Sequence, residues 1–311
     1  MSIKSLQLSN SSINILDACP RRLEFRKFHQ TAFLYQESHA SDVGKALHKA
    51  IQVYYKNQNK QEAIFTLMKE YPYHYNETAM SGRSLYAAYS TLQLVIQKLD
   101  TETLAVAHFD TAKHGTIPGI ELCFLLKIKN FSLSDQEAVP VTYIGYIDLV
   151  LQNKLTGEFL VYDVKTHRRT NAQPEVEFAF DDQCVPYALV LQHLTGKVTN
   201  SIQVNYLFCY TDVLAPVVQT IPMMKTKELI IDWGKQLAKH LQDVKFYYQN
   251  QWFPRKSKAC FSWGRTCQYF DMCQSRNESI IDQWLIDNKP ANPKPAMRHD
   301  PALIIELDLG F

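Results

Sequence analysis

No apolar run in this chain of 311 residues approaches the roughly 20 residues that a membrane helix needs. The first residues, Met-Ser-Ile-Lys-Ser-Leu-Gln-Leu, lack an apolar core followed by a small-residue cleavage site, so a signal peptide is not expected. There is no internal repeat and no low-complexity tract. Charge of one sign is scarce as well: 33 basic against 31 acidic residues leave a net +2. A long, sequence-independent grip on nucleic acid usually shows more, although a single positive groove fits this balance. Seven cysteines, an odd number without a secretion signal, argue against a disulfide framework and for a reducing compartment such as the cytoplasm. With 46% hydrophobic and 21% charged residues, the composition is that of an ordinary globule, long enough for one large domain or two small ones.

What the chain does have is a pair of apolar runs that each carry an aspartate. Residues 141–151 (Val-Thr-Tyr-Ile-Gly-Tyr-Ile-Asp-Leu-Val-Leu) and 158–166 (Glu-Phe-Leu-Val-Tyr-Asp-Val-Lys-Thr) flank the turn signal Asn153-Lys-Leu-Thr-Gly157. A turn of two or four residues centred between Leu155 and Thr156 sets Asp148 opposite Asp163. Directly opposed residues have Cβ atoms roughly 4.5–5.5 Å apart. The period of two puts Lys165 on the face of Asp163. Two carboxylates that close repel each other unless a cation sits between them, and hard oxygen ligands suit Mg²⁺ or Mn²⁺. A sheet surface with scattered charges is the plainer reading. The apolar flanks speak against it, because aspartate is depleted inside such runs and needs a reason to be there.

Along the rest of the chain, Ser11-Ser12 can cap a helix ending near Cys19, and Pro20 can open the next. Helices are predicted over 42–56, 60–70, 83–99 and 227–249. Strands are predicted over 120–129, 142–152, 158–166, 202–210 and 216–223. Asp182 is expected to cap a helix running to Leu194, with Thr195-Gly196 as its stop. The run around 288–301 reads as a Pro-rich linker, and Ala302–Phe311 as a short β-prone tail. Gly44 inside a helix suggests that something approaches closely there.

These residues, taken in order, resemble the PD-(D/E)XK nuclease superfamily in its RecB-type branch, whose members include phage and bacterial recombination exonucleases. Ala18-Cys19-Pro20 looks like its helical CP segment, and Gly44-Lys-Ala-Leu-His48 like its Gly-x-x-x-His helix. Glu121 matches its Glu-bearing strand, Gly145-Tyr-Ile-Asp148 its Gly-x-x-Asp strand, Asp163-Val-Lys165 its Asp-x-Lys strand, and Gln183-Cys-Val-Pro-Tyr187 its Gln-x-x-x-Tyr helix. Each motif is loose alone; six in order, over roughly residues 10–275, are specific.

The resemblance implies an α/β nuclease core with a mixed central sheet flanked by helices, a helical N-terminal region and a Cys-rich C-terminal loop. It implies one nuclease domain over 1–287, made of a helical part (11–100), a catalytic core (101–225) and a C-terminal helix with the cysteines (226–275), followed by 288–311. Asp148, Asp163, the Val164 carbonyl and His48 would hold Mg²⁺ or Mn²⁺. Glu121 would support the metal or the attacking water. Lys165, kept charged by neighbouring carboxylates, would orient the nucleophile and stabilise charge on the phosphate. Gln183, Tyr187, Arg168 and Arg169 would meet the substrate. Taken without the resemblance, His48 reads as a core histidine, Glu121 as an exposed strand end, and Gln183 with Tyr187 as a structural pair.

Cys19, Cys260, Cys267 and Cys273 resemble the ligands of the branch's [4Fe–4S] cluster, against the alternatives of a Cys₄ zinc site or free thiols. Cys123, Cys184 and Cys209 read as buried packing thiols. The activity implied is metal-dependent hydrolysis of DNA from its ends, in recombination, repair or replication, in the cytoplasm or in that of a host if a phage encodes it. The alternatives are a CRISPR-adaptation-like or endonucleolytic enzyme, a DNA-binding subunit without turnover, and a cluster scaffold. The tail would add as a strand to a recombination or replication protein, or else close this protein's own sheet.

Overall fold

The computed structural model describes residues 3–29, 39–71, 84–99, 102–167, 173–197, 201–211, 216–262, 265–275, 283 and 300–311. In chain order the elements are β1 (Leu6–Leu8), α1 (Asn10–Ala18), α2 (Pro20–Leu23), α3 (His39–Asn57), α4 (Lys60–Glu70), α5 (Leu85–Leu99), β2 (Leu104–Val106), β3 (His108–Thr111), β4 (Gly115–Pro118), β5 (Ile120–Ser132), β6 (Pro140–Asn153), β7 (Phe159–His167), α6 (Pro174–Ala179), α7 (Tyr187–Thr195), β8 (Ile202–Tyr210), β9 (Val217–Lys225), α8 (Lys227–Gln249), β10 (Phe261–Ser262), β11 (Arg265–Thr266), α9 (Phe270–Gln274) and β12 (Leu303–Leu307). They make an α/β fold with a mixed central sheet flanked by helices. Among the described residues no helix is long and apolar enough to cross a membrane.

The chain divides into two compact units interleaved in sequence, one of residues 37–123 and 146–231, the other of 1–36, 124–145 and 232–311. In the first, β6, β7, β8 and β9 lie side by side, with β2 on β6. The β6–β7 and β8–β9 pairs are antiparallel and β7–β8 is parallel, the connection running through α6 and α7 as a parallel pair requires. One face of these strands (Leu149, Leu151, Tyr162, Val164, Leu207) packs into a core with Ala46, Leu47 and Tyr54 of α3, Leu67 of α4 and Leu92 of α5. Period-two alternation sends Asp163 and Lys165 to the other face.

The hairpin register is the one the turn predicts: Leu149 pairs with Tyr162 and Gln152 with Phe159. Asn153 holds the turn. Its side-chain oxygen accepts from Leu155 N (2.9 Å) and Thr156 N (3.2 Å), and its carbonyl accepts from Gly157 N (2.7 Å). Gly157 sits at φ +72°, a conformation that costs a residue with a side chain and is free for glycine.

In the second unit, β1 runs parallel to the start of β6 and β12 runs parallel to β5. The tail is therefore a strand of this protein's own sheet, which corrects the expectation of a tethered segment offered to a partner. Leu303 is buried, Glu306 pairs with Lys129 at 2.9 Å, and Phe311 meets the Phe131 ring at 4.6 Å. The Pro-rich stretch before it lies outside the described residues.

Two capping expectations are also corrected. Helix α1 starts after Ser9 rather than after Ser11-Ser12. Asp182 does not cap a long helix. Asp181 caps a single 3₁₀ turn, Asp182–Cys184, and Pro186, which has no N–H to give, stands as the N-cap of the separate helix α7. That helix does end at Gly196.

Candidate active site

The hairpin, α3 and the turn before α7 bring the charged residues of the first unit together. Asp163 is fully buried on β7, and Lys165 Nζ lies 2.7 Å from its Oδ2. Despite that closeness, Oδ2 accepts no well-aligned hydrogen bond. Its other oxygen, Oδ1, accepts from Gln183 Nε2 (3.2 Å) and from the Tyr187 hydroxyl (3.4 Å). Lys165 Nζ also donates to Gln183 Oε1 at 2.7 Å, so the glutamine amide bridges the ion pair. Asp148 Oδ2 accepts from Val164 N at 2.8 Å and lies 4.0 Å from His48 Nδ1. The Val164 N–H thus holds Asp148 in place.

Burial raises both aspartates above the usual carboxylate range, more than His48, Val164 N–H and Lys165 draw them down. For Lys165, burial pulls the ammonium down, but Asp163, Cys184 and Asp148 together outweigh it and its pKa is raised. The lysine is a cation at neutral pH and a poor general base.

His48 is one helical turn from Gly44, and a Cβ on Gly44 would stand 2.7 Å from Thr166 Oγ1. Only glycine lets α3 come this close to β7, the close approach that the sequence predicts. Gln52, one further turn along α3, donates to Glu121 Oε1. Glu121 itself holds a strained φ of +46° inside β5, in the left-handed region where side chains crowd the backbone. Its charge acts on Asp148. A cavity of about 10 Å³, room for one water or one ion, is lined by His48, Gln52, Ile120, Asp148 and Val164.

His48, Glu121, Asp148, Asp163, Lys165, Gln183 and Tyr187 are thus assembled as a group. Arg168 and Arg169 lie outside the described residues. Tyr187 is buried and its hydroxyl donates to the Tyr146 carbonyl at 2.8 Å, so it acts inside the protein. Sequence reasoning missed Gln52 and Asp181. The spacing of four from His48 could have found Gln52; Asp181, which accepts from Gln183 N at 3.2 Å, was displaced by the expectation at Asp182.

The donors suit a hard divalent cation. Asp163 Oδ2, which accepts no well-aligned hydrogen bond, and the partly exposed carboxylate of Asp148 offer the oxygen ligands such a cation takes. Among the described residues no three His, Cys, Asp or Glu side chains, the cysteines included, stand in a metal-holding arrangement.

In the second unit, Cys267 and Cys273 pack against Phe25, Tyr269 and Met272. Burial pushes the Cys273 thiol up to about 11; Arg21 and Arg255 draw it down, Cys267 and Cys19 push it further up. Cys267 N donates to the Cys260 carbonyl at 2.7 Å. Cys123, Cys184 and Cys209 are buried, as expected of packing thiols.

Residues 7–274 match the sequence profile of the PD-(D/E)XK nuclease superfamily. The chain belongs to that superfamily. Among curated proteins none matches. Among solved structures, the crystal structure of a candidate exonuclease from Eubacterium rectale is similar, at 10% identity and a TM-score of 0.48, over 89% of this chain and 92% of that one. The structure of the protein SSO0001 is similar at 12% identity and a TM-score of 0.25, over 63% of this chain and 74% of its own. Neither likeness is close enough to carry an argument, and membership rests on the 7–274 match and the motif residues within it.

Proposed function

We propose that this superfamily member is a Mg²⁺- or Mn²⁺-dependent deoxyribonuclease of the RecB-type branch that hydrolyses DNA from its ends. One observation carries the reading: Asp163, fully buried and raised, lies 2.7 Å from Lys165, with a second, partly exposed carboxylate, Asp148, also raised by desolvation. Asp148, Asp163 and His48 would hold the cation and Glu121 would support it; a neutral imidazole would favour Mn²⁺ over Mg²⁺ there. When bound, the cation supplies a water of lowered pKa and neutralises charge on the phosphate.

The protein's own groups do the rest. Lys165, charged and fixed between Asp163 and Gln183, orients the attacking water and stabilises the charge that builds on the phosphate oxygens. Gln52 aims Glu121, and Tyr187 holds Asp163 from the far side. Gln183, with Arg168 and Arg169 after β7, meets the DNA backbone. End-directed cleavage is supported by the Gly44-x-x-x-His48 helix, seated against Thr166 with His48 beside Asp148. The same branch reading makes Cys19, Cys260, Cys267 and Cys273 the ligands of a [4Fe–4S] cluster, with none of them in a disulfide.

The test is digestion of end-labelled single- and double-stranded DNA with each metal, beside covalently closed circles. Linear substrates should lose label as short products while the circles persist. Circles cut as fast as linear DNA make the protein an endonuclease, and no cleavage with either metal makes it a binding subunit.

A further inference from the structure

Lys225, the last residue of β9, is fully buried. Its ammonium donates to three main-chain oxygens, those of Phe178 (2.9 Å), Ala179 (3.3 Å) and Asp181 (3.0 Å), and stands 5.5 Å from the centre of the Tyr206 ring. None of the ion pairs found among the described residues involves it. A buried charge without a carboxylate partner is expensive. Burial indeed draws its pKa below the usual lysine range.

The segment it ties down explains the expense. Phe178 and Ala179 end α6, where carbonyls have no intrahelical partner. From the same four residues, two contacts reach the catalytic group and a third reaches Tyr206, the register partner of Asp163 on β8. The Phe178 ring lies 5.6 Å from Lys165 Nζ. Asp181 Oδ1 accepts from Gln183 N at 3.2 Å, and Asp181 Oδ2 accepts from the Tyr206 hydroxyl at 3.5 Å. Gln183 in turn grips both Lys165 and Asp163.

We infer that Lys225 is a positioning residue: it fixes the 178–181 backbone so that Asp181 and Phe178 hold Gln183 and Lys165 in their working geometry. The inference rests on the nuclease reading above, and its test has a readout independent of turnover. In Lys225→Met, made in the full chain and assayed with Mn²⁺, kcat should fall about ten- to a hundredfold with KM within about threefold, the order of loss for an orienting group displaced by about 1 Å. In the same metal-free variant, hydrogen exchange at the Gln183 amide should quicken at least about tenfold, while amides of β7 and β8 keep their protection. Lys225→Arg, which keeps charge and donors, should restore part of kcat.

Wild-type kcat and wild-type exchange at Gln183 in Lys225→Met overturn the inference. Faster exchange throughout the sheet also overturns it, since Lys225 then only stabilises the fold. Should Lys225→Met fail to fold, Asp181→Ala removes the acceptor of the Gln183 N–H from the other end. An unchanged kcat there is equally fatal, and a fall in kcat with KM held supports the inference. If the wild-type chain cleaves nothing, the nuclease reading fails, while exchange at Gln183 still decides the role of Lys225.

Discussion

Asp163 has no exposed surface, and its charge is answered by a lysine two residues away on the same strand face. Removing either partner leaves the other without its counter-ion. Asp163→Ala and Lys165→Ala should each raise the barrier by about 3 kcal/mol or more, over a hundredfold in rate, with DNA binding within a few fold. Near wild-type cleavage by purified Asp163→Ala would sink the site. In the other unit, Lys27 shows how a partly buried cation shapes stability. Burial, aided by Arg26, lowers its pKa to about 8, and its Nζ donates to the Gln7 carbonyl at 2.8 Å. Between about pH 8 and 10.5 the unfolded chain binds the extra proton, so stability should rise with pH across that window, by at most on the order of 3 kcal/mol. Below pH 8 both states are protonated and the cost is constant. Lys27→Met should flatten the profile in urea titrations at pH 7, 9 and 10.5; a wild-type profile already flat would disprove the burial effect.

At the scale of elements, β12 is the instructive case. It forms a five-residue parallel ladder with β5 and buries Leu303. Deleting residues 302–311 should cost a few kcal/mol, since one buried leucine alone contributes about 1.5–3. That is several degrees in a thermal melt. The cleavage rate well below the melting temperature should stay within about twofold. An unchanged melting curve would mean that the strand adds nothing. The long helices and strands were legible because their pattern is local: the stripe of Trp233, Leu237, Leu241, Val244 and Tyr248 gives α8 to the residue, and Asn153 with Gly157 gives the β6–β7 register. β1 and β2 were not legible. Three residues hold too little periodicity, and their partners, Val141–Tyr143 and Leu151–Asn153, are distant in sequence. The site was legible where a side chain performs chemistry and illegible where one serves another side chain. Asp148, Asp163 and Lys165 stand out in apolar runs, whereas Gln52 and Lys225 acquire meaning only when the fold shows what they touch.

For the whole molecule, the cysteines make the boldest claim. A cluster joining Cys19 to Cys260, Cys267 and Cys273 would close a loop of most of the chain, worth on the order of 5 kcal/mol by loop entropy. Anaerobically purified protein should be brown, absorb broadly near about 400 nm and carry about four irons per chain. Cys19→Ser should bleach it, and Cys123→Ser should not. Colourless protein with one tightly bound zinc would refute the cluster and leave the nuclease standing. The interleaving of the two units has a consequence in time. The unit of residues 37–123 and 146–231 possesses every residue of the carboxylate site, and Lys225 too, once position 231 has been synthesised. The other also needs β12, residues 303–307, which is synthesised after position 231. At roughly 5–20 residues per second the interval lasts on the order of ten seconds. During it, the nascent chain carries every residue proposed for the carboxylate site before β12 exists to pair with β5.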